Sequence, residues 1–214
     1  MSEPLDVTAT RTAYDTVAVD YAELLRDDLD RNEFDRAMLG VFAERVLATG
    51  SAPVADLGCG PGRITGHLAA LGLDVFGVDL SPGMIEVARQ QHPGIRFEVG
   101  AMAELDLPDA SLGGALAWYS IIHTPAERQP VLFAEFARVL RPGGWLLLAF
   151  QVGDGVVRLR RAYGHELDLE TRRQRPERIR ELLEGAGFRE QARLVREPEG
   201  PEKVQQAYVL AARS

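Results

Sequence analysis

Between residues 52 and 150 the chain runs through five short apolar segments of strand length, separated largely by segments whose apolar residues recur at helical spacing. The strand-like segments are Ala52 to Leu57, Asp74 to Val78, Ile95 to Val99, Gly114 to Trp118 and Trp145 to Phe150. Ile64 to Leu71 reads as a helix, and Ser81-Pro82 supplies an N-cap and a first-turn proline for another reaching about Gln91. Leu132, Phe136, Val139 and Leu140 share a third helical face that stops at Arg141-Pro142-Gly143-Gly144. Strands joined through crossover helices pair in parallel, and the helices cover both faces of the sheet. After a helix from Pro176 to Ala186, Phe188 to Arg196 and Lys203 to Ala212 have no helix between them, so this pair is antiparallel and is expected to add an antiparallel edge. The expectation is an α/β fold with a doubly wound, seven-stranded, mostly parallel sheet and an antiparallel last strand.

Two regions stand outside that rhythm. Tyr14, Val17, Tyr21, Leu24 and Leu25 form one helical stripe and Phe34, Met38, Val41 and Phe42 another, so residues 1–50 read as two helices before the first strand. Residues 151–175 are too long for an ordinary connection; Val157, Leu159, Leu167 and Leu169 alternate with polar residues around Tyr163-Gly164, which predicts a small hairpin over the strand ends.

Composition narrows the function. With 214 residues, 46% hydrophobic and 26% charged, the chain can bury one sizeable core. Its longest apolar run, Trp145 to Phe150, is far short of the roughly 20 residues a membrane helix needs, so no membrane partner is expected. The start MSEPLDVTATR has no secretory pattern, and the expected location is cytoplasmic. A net charge of −8 repels a phosphate backbone, so nucleic acid is not an expected partner; the arginines of 158–175 are interrupted by Glu166, Asp168 and Glu170 and read as a solvated face. The single cysteine, Cys59, excludes an internal disulfide, and neither His67 nor His92 lies in a metal-like cluster, so no metal is expected.

The most informative stretch is Val54-Ala-Asp-Leu-Gly58-Cys-Gly60-Pro-Gly62-Arg63. Glycines at 58, 60 and 62 directly after a strand allow a tight turn and close approach of a nucleotide-like ligand. Arg63 stands where a dinucleotide fingerprint wants its third glycine, which weakens a nicotinamide reading. Asp79 follows Gly58 by 21 residues, the distance at which an acid accepts ribose hydroxyls in this topology. Asp56 sits in the apolar strand and needs partners, either the N–H groups of the loop or a cationic ligand.

These residues, with Asp79-Leu80-Ser81, Phe133 to Gly144 and Leu182 to Phe188, resemble the class I S-adenosylmethionine-dependent methyltransferases of the small-molecule type, over about 45–212. The resemblance implies a Rossmann-like core at 51–150 and 176–214, an N-terminal helical lid at 1–50 and a cap insertion at 151–175. It implies S-adenosylmethionine as cofactor. The methionine part would lie along Asp56, Gly58 and Gly60, the ribose on Asp79, and the adenine against Leu80 and Met84. Since Ala101 stands where the family often has an acid, backbone contact at Met102 is expected for the adenine amine. Tyr14 and Arg63 are candidates for the cofactor carboxylate, and Trp118 is counted with the cofactor residues.

For the reaction, His123 just beyond the fourth strand is the candidate general base, because an ordinary imidazole titrates near neutrality. Tyr119 and Ser120 are candidates for orienting the acceptor, Tyr21 for covering the site; His165 reads as a surface residue. The expected activity is methyl transfer to O, S or N of a small, largely apolar or aromatic metabolite. A tRNA or protein methyltransferase and a non-catalytic cofactor-binding regulator remain alternatives.

Overall fold

A computed structural model describes residues 4–50 and 52–214. Its principal sheet has seven strands, β1 (Val54–Leu57), β2 (Val75–Asp79), β3 (Phe97–Val99), β4 (Leu112–Trp118), β5 (Leu140–Gln151), β8 (Phe188–Arg196) and β9 (Gln206–Arg213). The order is β3-β2-β1-β4-β5-β9-β8. Every residue of β1 and β4 is buried, as required of parallel strands covered on both faces. The chain winds outward from β1 through β2 to β3 and then returns to β4, leaving a crevice where the winding reverses.

The last strand, β9, is the antiparallel one, as expected, but it lies inside the sheet instead of at its edge. β9 is antiparallel to β5 on one side and to β8 on the other, so the edge strand β8 runs with the parallel set. Ala207 to Ala211 of β9 are all buried, a run unsuited to an edge, whereas β8 mixes exposed and partly buried residues. β5 also begins earlier than the glycine stop implies, with Leu140 paired to Leu112 ahead of an irregularity in register.

The crossover helices are α4 (Arg63–Ala70), α5 (Pro82–Gln91), α6 (Gln129–Val139) and α7 (Pro176–Gly185). Ser81 caps α5, its hydroxyl accepting from the Met84 N–H at 3.0 Å. Among the described residues ahead of β1 there are three helices rather than two: α1 (Leu5–Leu24), a single turn α2 (Asp28–Arg31) and α3 (Glu33–Ala48), the last capped by Asn32; the first three residues of the expected lid lie outside the described residues. The helices divide between two tasks. Leu39, Phe42 and Val46 of α3 pack with Val54, Leu116 and Leu210 in the core under the sheet. Val17 and Ala18 of α1 belong instead to a small cluster with Met84 and, around it, Tyr14, Tyr21, Tyr163 and Leu167.

Residues 151–175 contain a two-stranded hairpin, β6 (Val156–Ala162) and β7 (His165–Arg172), separate from the main sheet. It lies against α1: His165 Nε2 is 2.7 Å from Asp20 Oδ2, and Tyr163 stacks edge-on to Tyr21 with centroids 5.0 Å apart. Among the described residues no helix is long and apolar enough to cross a membrane.

Candidate active site

A cavity of roughly 1090 Å³, mouth included, opens at the carboxyl ends of β1, β2 and β4 beneath α1. The glycine turn forms its floor. Gly58, Gly60 and Gly62 all have positive φ (78°, 54° and 83°), where a side chain is strained. A Cβ on Gly58 would also stand 2.4 Å from the Ser120 Cβ, so β1 and the loop after β4 approach closely only because this position is bare.

Asp79 braces the turn. Its Oδ2 accepts from the Gly60 N–H at 2.8 Å and its Oδ1 from the Ser81 N–H at 2.9 Å. Burial raises its pKa, and the two N–H donors oppose that. Each carboxylate oxygen retains acceptor capacity for a ribose hydroxyl in the cavity. Leu80, Met84, Met102 and Trp118 form apolar wall around it.

Asp56 does not line the cavity. Its Oδ2 accepts from the Thr65 hydroxyl at 2.7 Å, whereas buried Oδ1 has no partner. Burial pushes its pKa up to about 7, Thr65 opposing and the Asp79 charge adding to the rise. Thr65, a residue the sequence did not single out, thus takes the bracing part foreseen for the loop N–H groups. Asp56 thus stands behind the turn, and the groups that face the cavity, Asp79 with Gly58 and Gly60, offer carboxylate acceptors and a bare backbone that fit the ribose and chain of S-adenosylmethionine.

Arg63 departs from expectation. Its Nη2 lies 3.6 Å from Asp28 Oδ2, and it lines a separate small cavity with Leu25 and His92 instead of the main one. Asp28 sits on the short α2, which the sequence did not reveal, and the α1–α2 corner draws the guanidinium away. Tyr14 does line the cavity, but its hydroxyl is committed to His123 Nε2 at 2.9 Å.

His123 ends a 3₁₀ turn, Ile121–His123, after β4. The Glu170 carbonyl on β7 lies 3.0 Å from Nδ1 and accepts only, which fixes the proton on Nδ1 and leaves Nε2 to accept from Tyr14. Burial pushes the imidazole down to about 4, the Glu170 carbonyl opposing and the Arg172 charge adding to the fall. Near neutral pH the ring is uncharged, a weak base, and already holding a proton donor. This differs from the poised base that position and residue type suggested. Tyr21, edge-on to Tyr14 at 5.9 Å, lines the cavity and has its phenol pKa raised by burial.

Tyr119 lines the cavity with a strained φ of 54°, while its phenol interacts with Tyr208. Tyr208 in turn donates to Asp35 and accepts from Arg196 Nε at 3.0 Å, so the phenol belongs to a buried polar network rather than standing free for an acceptor. Ser120 donates to the Leu57 carbonyl at 2.7 Å, a tie between β1 and the β4 loop.

Three further residues were not assigned roles from sequence. Asp15 Oδ1 accepts from the Ser81 hydroxyl at 2.5 Å and the Gly83 N–H at 2.9 Å, clasping α1 to the start of α5. Arg128 Nη1 donates to Asp6 Oδ2 at 2.6 Å, and both line the cavity. Both contacts are long-range, spanning 66 and 122 residues, so no local pattern marks either.

Residues 54–144 match the methyltransferase domain family. A malonyl-[acyl-carrier protein] O-methyltransferase of Serratia marcescens is 34% identical over 110 residues, 50% of this chain and 42% of that protein. A trans-aconitate 2-methyltransferase of Methylobacterium nodulans is 37% identical over 117 residues, 52% of this chain and 42% of that protein. The chain therefore spans less than half the length of these curated relatives. Among solved structures, a magnesium protoporphyrin IX methyltransferase from Synechocystis PCC 6803 with bound S-adenosylmethionine shares the fold over 100% of both chains, with a TM-score of 0.73 at 19% identity. The reversed winding, the bare glycine turn braced by Asp79, and these likenesses lead to one conclusion: residues 54–144 match a methyltransferase domain, and the chain shares the fold of the S-adenosylmethionine-dependent methyltransferases and resembles their class I.

Proposed function

We propose that this protein transfers a methyl group from S-adenosylmethionine to O, S or N of a small, largely apolar or aromatic molecule. The observation that carries the reading is the lining of the cavity: one space is bordered both by the Asp79 and glycine-turn cradle and by residues that cradle does not use, Val7 of α1 and Val131 of α6 among them. The curated relative named for trans-aconitate supports an acceptor of modest size.

When bound, S-adenosylmethionine supplies a methyl group activated by a sulfonium. What the chain must supply is alignment and exclusion of water, since an in-line displacement needs little else. Asp79 holds the ribose end and the Leu80, Met84 and Met102 wall takes the base. Tyr14 and Tyr21, carried on α1, close the roof, so that residues 5–24 act as the lid; the hairpin of 156–172 acts as a cap through His165, Tyr163 and the Glu170 carbonyl. His123 acts as a positioning residue, joining lid to cap through its two ring nitrogens.

Calorimetric titration with S-adenosylmethionine tests the cradle. Asp79→Ala removes two charge-assisted acceptors for ribose hydroxyls, so affinity should fall tenfold or more, by about 1.5–3 kcal/mol for each bond. Asp79→Asn should show a smaller loss. Wild-type affinity in both variants refutes the ribose assignment.

A further inference from the structure

We propose that the acceptor is a small carboxylic acid, methylated as its carboxylate and recognised by Arg128. This rests on the methyltransferase reading and names its substrate class. Arg128 immediately precedes α6 and lines the cavity, with its side chain 32% exposed and the partner Asp6 25% exposed. Asp6 already sets a carboxylate against Arg128 Nη1 at 2.6 Å from across the cavity wall. An acceptor carboxylate entering beneath α1 replaces Asp6 on the guanidinium, a planar donor group that matches carboxylate geometry. Thr124, four residues before Arg128 on the same connection, also lines the cavity, so this connection brings polar groups to the lining that holds Val7 and Val131.

The chemistry agrees. A carboxylate oxygen attacks the methyl carbon with its lone pair; the carbon–sulfur bond breaks with its electrons passing to sulfur, giving a methyl ester and a neutral sulfide. No proton moves. A phenol or thiol would have to shed one, and His123 is poorly placed to take it, its Nε2 being engaged by Tyr14. An ionised acid is the acceptor that asks nothing of His123. It also brings a negative charge to a sulfonium, whereas a cationic amine would be repelled by it.

The test uses the full chain, methyl-labelled S-adenosylmethionine and the small-molecule fraction of a cell extract. Methyl esters release volatile labelled methanol in mild base, while methyl ethers, thioethers and amines do not. Base-labile label supports the proposal, and base-stable label overturns it while leaving the methyltransferase reading intact. Label in neither form retires both. Arg128→Gln should lower base-labile product about tenfold or more, as expected for loss of a charged hydrogen bond, with S-adenosylmethionine affinity and thermal midpoint near wild type. Asp6→Asn removes the competing carboxylate and should lower the half-saturating concentration of the acceptor fraction. A merely structural Asp6–Arg128 pair predicts equal losses in both variants, and that outcome overturns the assignment.

Discussion

The protonation of His123 offers a stability measurement that is independent of any acceptor. Burial lowers the imidazole from 6.5 to about 4 in the native chain. Above the unfolded value the ring is neutral in both states and nothing is lost. As pH falls below 6.5 the unfolded chain takes up a proton that the native chain refuses, so stability drops until the native pKa is reached and then levels off. Each pKa unit corresponds to ~1.4 kcal/mol, so between about pH 7.5 and about pH 5 the loss is about 2 kcal/mol. The ring borders the cavity, so entering water makes this an upper figure. Asp56 works in the opposite sense: raised to about 7, it gains a proton in the native state first and stabilises the fold across the same interval. The wild-type curve alone therefore mixes two signs. Urea unfolding of wild type and His123→Asn at both pH values separates them, because the variant retains Asp56 and a side-chain donor for the Glu170 carbonyl. Loss of the Tyr14 partner shifts the variant by a constant, and the wild type should lose up to about 2 kcal/mol more than the variant on acidification. Parallel pH dependences would refute the buried neutral imidazole, and with it the hydrogen-bond arrangement of Tyr14, His123 and Glu170.

Two other perturbations bear on different parts of the site. Gly58→Ala forces a Cβ to within 2.4 Å of Ser120 at a φ of 78°, and should cost about 2–4 kcal/mol in thermal or urea unfolding while abolishing cofactor binding; adding Ser120→Gly should restore part of the stability, and no restoration would mean the backbone strain alone decides. Replacing 156–172 with a short Gly/Ser linker leaves the glycine turn and Asp79 in place but removes the contacts of His165 and Glu170, so transfer measured with labelled cofactor should fall far more than calorimetric affinity. Equal losses would mark the hairpin as part of the fold.

What the sequence disclosed was set by short-range physics. The turn at 58–62 follows from backbone conformations that favour glycine, and Asp79 ends β2 because the crossover between the two strands has a standard length. The helices and most strands follow from periodicity. The misplaced features depend on distant partners. Arg63 is within reach of Asp28 only because α2 forms a separate turn, and Tyr14 meets His123 only when α1 docks over strands that begin some forty residues later. Tyr119 is at the expected end of β4, yet its phenol is drawn to Tyr208, a residue on a strand whose place in the sheet no local pattern reveals. Alternation and loop length gave the hairpin of 156–172; the Glu170 carbonyl that orients His123 is a backbone group, which carries no residue-type signal.

The interior position of β9 has a consequence for how the sheet is assembled as the chain is made. β8 has a single neighbour, β9, which is synthesised after it, and β9 reaches its other neighbour by pairing Trp145 with Ala212. β8 can therefore join the parallel set only by way of a strand that follows it, across a separation whose closure entropy is met before any pairing rewards it. Until residues 206–213 are available, the outer edge of β5 stands open, and its buried run Leu146 to Phe150 offers unpaired N–H and carbonyl groups beside an apolar face. The nascent chain thus passes through a stage with an exposed template for aggregation, and that stage ends when β9 pairs with β5.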